Sequence, residues 1–317
     1  MKNIIFMGTP DFAAYILERL IDDTEYQISL VVTQPDRPVG RKQKMTPTPV
    51  KVVAQEHEIE VYQPEIINDG VAIEKITALN PDLILTVAYG QKIPESILNV
   101  PEYGAINVHP SLLPKYRGGA PIHYAVKNGD TETGVTIMYM VEELDAGDMI
   151  SQTTFPIEND ETTGELFEKL SIISADLLLE TLPKLFDKSI EPVPQNEAEV
   201  VYAKTISKSN ERIDWNQSAI DIHNHIRALN PEPGAYTLYE GARFKIYQTN
   251  LTEETTDSSP GEVVAIFKKQ FQLACGDGTV LAIREVQPAG KKPMPAANFL
   301  NGGGSDLEVG YKFGQED

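Results

Sequence analysis

Asn3-Ile4-Ile5-Phe6-Met7-Gly8-Thr9-Pro10-Asp11-Phe12 is the stretch on which the fold turns. An apolar run ends at Gly8, Thr9 can cap a helix, and Pro10 suits a helical first turn. Phe12, Ile16 and Leu20 then recur at i, i+4 and i+8, one face of a helix. Strand, tight turn and helix open the chain. The turn is no dinucleotide fingerprint, because Pro10 stands where that motif needs a glycine, so a nicotinamide dehydrogenase is disfavoured.

Working outward, residues 28–33, 60–62, 82–88 and 105–108 read as strands, and residues 50–56 and 72–79 as helices. Strands alternating with helices predict a doubly wound, mostly parallel sheet covered on both faces. We assign residues 1–190 to this α/β domain. Residues 191–207 begin Glu191-Pro192-Val193-Pro194-Gln195-Asn196 and read as a linker. One helix over 218–229 precedes short β runs broken by Gly, Asp and Pro, so residues 208–303 predict a small β-barrel or sandwich. Residues 304–317, after the glycines of 301–305, are expected to be a loosely held tail.

The 317 residues carry 27 bases against 47 acids, a net charge of −20 that spread evenly would argue against nucleic acid. The charge is uneven. Residues 37–51 contain Arg37, Arg41, Lys42, Lys44 and Lys51 and no acid, in a Pro-rich loop of the kind that is usually functional or disordered. The single cysteine, Cys275, excludes an intrachain disulfide, and no Cys/His spacing suggests a metal. No apolar run is long enough for a membrane span, and no signal peptide is recognisable, so a cytoplasmic location is expected; a monomer is expected as well.

Two stretches carry chemistry. In the first, Asn107-Val108-His109-Pro110-Ser111-Leu112-Leu113-Pro114 is followed by Lys115-Tyr116-Arg117-Gly118-Gly119. A strand there delivers Asn107 and His109, two residues apart on one face, to the carboxyl edge where α/β sheets bind ligands. An amide and an imidazole side by side can stabilise an oxyanion. A buried histidine bonded to backbone is the plain alternative. The second stretch, Leu144-Asp145-Ala146-Gly147-Asp148-Met149, is either a turn between strands or the source of a carboxylate for His109.

Together, Gly8 to Phe12, the 107–121 run and Leu144 to Met149 resemble the folate-dependent formyltransferases. Three further segments resemble the branch of that family acting on methionyl-tRNA: the 34–51 loop, Arg212-Ile213-Asp214-Trp215, and Gln287 to Met294. The resemblance runs over nearly the whole chain. It implies a Rossmann-like domain joined to an oligonucleotide-binding-like barrel. It also implies transfer of formyl from 10-formyltetrahydrofolate, a co-substrate, to initiator methionyl-tRNA, without a metal. Asn107, His109 and Asp145 fall on the family's catalytic positions, and His109, Pro110, Ser111, Leu112, Leu113 and Pro114 on its folate loop. The tRNA contacts expected are Arg37, Arg41, Lys42 and Lys44 in the loop, with Lys204, Lys208, Lys268, Lys269, Lys291 and Lys292 later in the chain. The alternatives are a formyltransferase for a small amine, a formyltetrahydrofolate hydrolase, or a non-catalytic tRNA-binding protein.

Overall fold

The structure, a computed structural model, describes residues 1–23, 25–40 and 42–315. The chain divides into two compact units. The first comprises Met1–Pro121, Thr133–Pro156 and Phe167–Ala203; the second comprises Ile122–Glu132, Ile157–Leu166 and Lys204–Asp317.

The elements of the first half, in chain order, begin with β1 (Lys2–Gly8), α1 (Asp11–Ile21), β2 (Tyr26–Val32), β3 (Arg37–Val39), β4 (Lys44–Thr46) and α2 (Pro49–Glu56). They continue with β5 (Val61–Tyr62), α3 (Gly70–Thr77), β6 (Leu83–Val87), α4 (Glu95–Leu98), β7 (Ala105–His109) and α5 (Pro121–Lys127). Then come β8 (Glu132–Tyr139), β9 (Met149–Pro156) and α6 (Thr163–Phe186). Seven strands form one sheet in the order β5-β2-β1-β6-β7-β8-β9. The first five pair in parallel and β7 pairs β8 antiparallel, so the sheet is mostly parallel, as the alternation of strands and helices predicts. Ile4, Ile5, Phe6 and Met7 are all fully buried, which is why β1 is continuously apolar rather than alternating. Ile5, Met7, Leu30, Val32 and Ile84 share one face and one apolar cluster.

Between β1 and β6 the chain order reverses, the place where such sheets open a crevice at their carboxyl ends. Gly8 is required there by packing. A Cβ would stand 2.7 Å from the Phe6 ring and 2.8 Å from the Ala13 methyl. The expected cap is displaced by one residue. Pro10 is the N-cap, its carbonyl receiving the Ala13 and Ala14 amides, while the Thr9 hydroxyl donates to the Tyr89 carbonyl at 2.9 Å. The basic loop contains an unforeseen hairpin, with Arg37 opposite Thr46 and Val39 opposite Lys44.

The second unit adds α7 (Ala219–Ala228), β10 (Tyr236–Tyr239), β11 (Ala242–Thr255), β12 (Val263–Ile266), β13 (Phe271–Ala274), β14 (Thr279–Pro288), β15 (Met294–Pro295) and α8 (Ala296–Leu300). Its sheet runs β10-β11-β14-β13-β12, with β15 beside β14, and all pairs are antiparallel. Two stretches inside the expected first domain cluster here. Asn230 accepts from the Gly164 amide, and the buried Arg227 donates to the Glu161 carbonyl at 3.0 Å.

The tail after residue 303 corrects the sequence reading, because its described part is packed. The Val263 amide donates to Tyr311, the Gly310 amide to Val263, the Phe313 amide to Gly261, and the Gly314 amide to Leu238. The segment therefore bonds to β12 on one side and β10 on the other, filling the gap between the sheet's two outer strands. Phe313 is 2% exposed and stacks on Phe271 at 5.7 Å. The glycines misled because Gly304 serves contact rather than looseness: a Cβ there would overlap the Phe299 ring. The expected linker is also fastened in part. Met149 and Val193 exchange backbone hydrogen bonds, the Arg117 amide donates to the Val201 carbonyl, and the Ala203 amide donates to the Arg117 carbonyl.

Among the described residues no helix is long and apolar enough to cross a membrane, and no group of three or more His, Cys, Asp or Glu could hold a metal.

Candidate active site

Strand β7 is central in its sheet, held by β6 on one side and β8 on the other. Asn107 pairs with Thr86 and Met138, and His109, the last residue, pairs with Thr136. Asn107 is half-buried and His109 is 4% exposed. The backbone-bonded histidine foreseen as the plain alternative is half true. His109 Nε2 lies 2.9 Å from the Tyr116 carbonyl, and since a carbonyl only accepts, Nε2 carries a hydrogen. Nδ1 is the remaining edge.

That edge meets Asp145. Its Oδ2 stands 3.8 Å from His109 Nδ1, and both side chains are nearly buried. The carboxylate is anchored from elsewhere, accepting the Gly118 amide at 2.8 Å. Gly118 has φ +122°, and a Cβ would sit 2.5 Å from the Ala203 carbonyl, so the Gly118-Gly119 pair has a steric cause at its first member. Asp145 itself is left-handed, with φ +53°, in the turn between β8 and β9. Both readings of that turn hold together. The turn chemistry is what swings the carboxylate to the imidazole.

The loop after β7 is held by side-chain hydrogen bonds. Ser111 Oγ donates to the Lys115 carbonyl, and Thr136 Oγ1 donates to the Ser111 carbonyl while receiving the Leu113 amide and Gln152 Nε2. Ser111 and Leu113 are consequently buried, whereas Pro110, Leu112 and Pro114 remain partly exposed. Of the residues expected to meet folate, then, the prolines and Leu112 have side-chain surface to offer, and Ser111 and Leu113 shape the loop.

Several supports escaped the sequence reading. Arg117 is completely buried, its Nε donating to Gln195 Oε1 at 3.0 Å and its Nη2 to Glu197 Oε1 at 2.7 Å. Gln195 Nε2 in turn donates to the carbonyls of Asp145 and Gly147, both at 2.8 Å. Gly147 admits no side chain, since a Cβ would collide with the Tyr139 carbonyl. The acids before Leu144 also find partners: Glu142 pairs with Lys92 at 3.3 Å, and Glu143 lies 3.9 Å from Arg117. A Pro-rich polar stretch gives no sign that its glutamine is nine-tenths buried.

Arg41 lies outside the described residues. Arg37 pairs with Glu65 at 2.8 Å, and Lys51 is committed to Asp36 at 2.7 Å, whereas Lys42 and Lys44 are exposed. In the second unit Lys204, Lys208, Lys268, Lys269, Lys291 and Lys292 are all exposed. The last two sit in the turn leading to β15, shaped by Gln287, whose Nε2 donates to the Lys291 carbonyl. The Arg212 to Trp215 segment is largely structural: Ile213 and Trp215 are buried in the core, and the indole donates to Thr237 Oγ1 at 3.0 Å.

Comparison with known proteins agrees with this fold. The formyl transferase family matches residues 1–182, and the formyl transferase C-terminal domain matches residues 205–304. The methionyl-tRNA formyltransferase of Lysinibacillus sphaericus is 50% identical over 313 residues, covering 99% of this chain and 100% of the relative. That of Latilactobacillus sakei is 51% identical over 317 residues, covering 100% of this chain and 99% of the relative. In fold, an N-formyltransferase from Helicobacter canadensis, solved with folinic acid and dTDP-3-aminofucose, superposes with a TM-score of 0.68 at 21% identity, over 91% of this chain and all of that one. The chain belongs to the formyl transferase family, in the branch of the methionyl-tRNA formyltransferases.

Proposed function

We infer that the chain transfers the formyl group of 10-formyltetrahydrofolate to the α-amino group of methionine esterified to initiator tRNA. The observation that carries this reading is the meeting of His109 Nδ1 and Asp145 Oδ2 beside Asn107 in a chain half identical, end to end, to methionyl-tRNA formyltransferases. The formyl donor supplies an amide-like carbonyl carbon open to attack by a neutral amine. Asn107 and protonated His109 stabilise the oxygen that becomes negative as the new C–N bond forms. Because Nε2 is spent on Tyr116, His109 works through Nδ1, and Asp145 balances the imidazolium. The bond to the tetrahydrofolate nitrogen then breaks as His109 Nδ1 gives its proton to that nitrogen, and the neutral imidazole left behind takes up the proton the amine loses.

Pro110, Leu112 and Pro114 offer the apolar ridge against which the folate lies. Lys42 and Lys44, with Arg41, contact the acceptor end of the tRNA, and the exposed lysines of the second unit contact its backbone. The protein acts as a monomer in the cytoplasm. Incubation with 10-formyltetrahydrofolate and initiator methionyl-tRNA, followed by deacylation, yields formylmethionine. Formyl transfer to a free amino sugar with none to methionyl-tRNA would replace the reading with the small-amine alternative.

A further inference from the structure

Residues 195–197 lie in what the sequence presents as the start of a linker, yet Gln195 is 9% exposed and its amide is fully used. Arg117 Nε donates to Oε1, which fixes which end of the amide carries hydrogens. Both hydrogens of Nε2 then go to main-chain carbonyls, those of Asp145 and Gly147, on either side of Ala146. The guanidinium cannot turn away, because it is itself buried and held by Glu197. Asp145 needs such restraint: its backbone is left-handed, a conformation an aspartate adopts at some cost, and Gly147, the next residue but one, is pressed against the Tyr139 carbonyl.

We propose that Gln195 is a positioning residue for Asp145, its amide clamping the backbone of the carboxylate's turn and Arg117 locking the clamp. The linker's first turn is thereby part of the active site, although it touches no substrate. The clamp rests on the reading of Asp145 as a member of the formyl-transfer site, but its geometry has a reporter of its own. The Gly118 amide donates to Asp145 Oδ2, so its hydrogen exchange follows the carboxylate's position without any turnover.

Gln195→Glu tests the clamp in the full chain. The variant is isosteric, keeps an acceptor for Arg117, and sets a bare oxygen against two carbonyls. Exchange at the Gly118 amide is expected to quicken about ten-fold, the effect of losing one to two hydrogen bonds, while the amides of β8 keep wild-type protection. With both substrates, kcat should fall on the order of 10- to 100-fold, as a small misplacement of a reacting group does, and KM for folate and for methionyl-tRNA should hold. Gln195→Asn, which keeps the amide but loses reach, should fall between. A role in packing alone predicts that the isosteric Glu leaves kcat and the Gly118 exchange as in the wild type, and that result overturns the proposal. So does a loss of protection spread equally over β8, or a loss carried by KM. A wild-type chain that transfers no formyl group would instead overturn the functional reading, and the Gly118 exchange would still decide the clamp.

Discussion

In the proposed mechanism His109 has one nitrogen to spend, because the other is bonded to backbone. Tyr116 takes Nε2 and leaves Nδ1 facing Asp145 across 3.8 Å, a separation that suits an ion pair and leaves the Nδ1 hydrogen free to be given away. Removing either donor to the developing oxyanion should cost turnover on the order of 10²- to 10³-fold. Asn107→Ala and His109→Ala are therefore expected to keep folate binding, measured by fluorescence titration, and to lose kcat by that order. Near-normal turnover in either would remove it from the reaction. The residue types of this site were legible in the chain because motif and strand period agreed: Asn107 and His109 are two apart and so share a face. Their supports were not. Gln195 is 50 residues from Asp145 along the chain, and Arg117 meets it only when both have been buried, so no local pattern announces the pair.

At the scale of elements, Gly8 and the turn after it were readable because packing and propensity point the same way. The tail was not, because glycine looks the same in sequence whether it loosens a chain or lets a ring come close. Gly304 lies against Phe299, and Phe313 fills the core that the outer strands β10 and β12 would otherwise leave open. Truncating a buried phenylalanine to alanine typically costs about 3–5 kcal/mol. Phe313→Ala should lower the denaturant midpoint of the second unit by a corresponding amount. A variant as stable as the wild type would show that the sheet closes without the segment.

For the molecule as a whole, the histidines of the second unit set an acid limit. Burial, helped by Lys127, pushes the His225 imidazole down to about 4 from 6.5, and burial also lowers His123 and His223. Unfolding frees these rings to take protons near 6.5, so their contribution is complete above that pH and is lost as pH falls toward 4. For His225 the gap amounts to about 3 kcal/mol. Urea melts should show the second unit weakening between pH 6.5 and 4, and His225→Phe should flatten the decline; an unchanged slope would mean that the ring takes its proton as readily in the folded chain as in the unfolded one. The net charge of −20 is likewise informative only once divided, since the 37–51 stretch is purely basic. Neutralising Lys42 and Lys44 together should raise KM for tRNA and flatten its salt dependence, with folate affinity unchanged.

Single-turnover formylation of initiator methionyl-tRNA, run side by side with the wild type and Asp145→Asn at saturating 10-formyltetrahydrofolate, tests the central claim. The wild type should convert the bound tRNA to formylmethionyl-tRNA, and the variant, with the charge opposite His109 removed and its shape kept, should do so slower by on the order of 10²-fold or more. Equal rates for the two proteins, or no formylmethionine from the wild type, would contradict it.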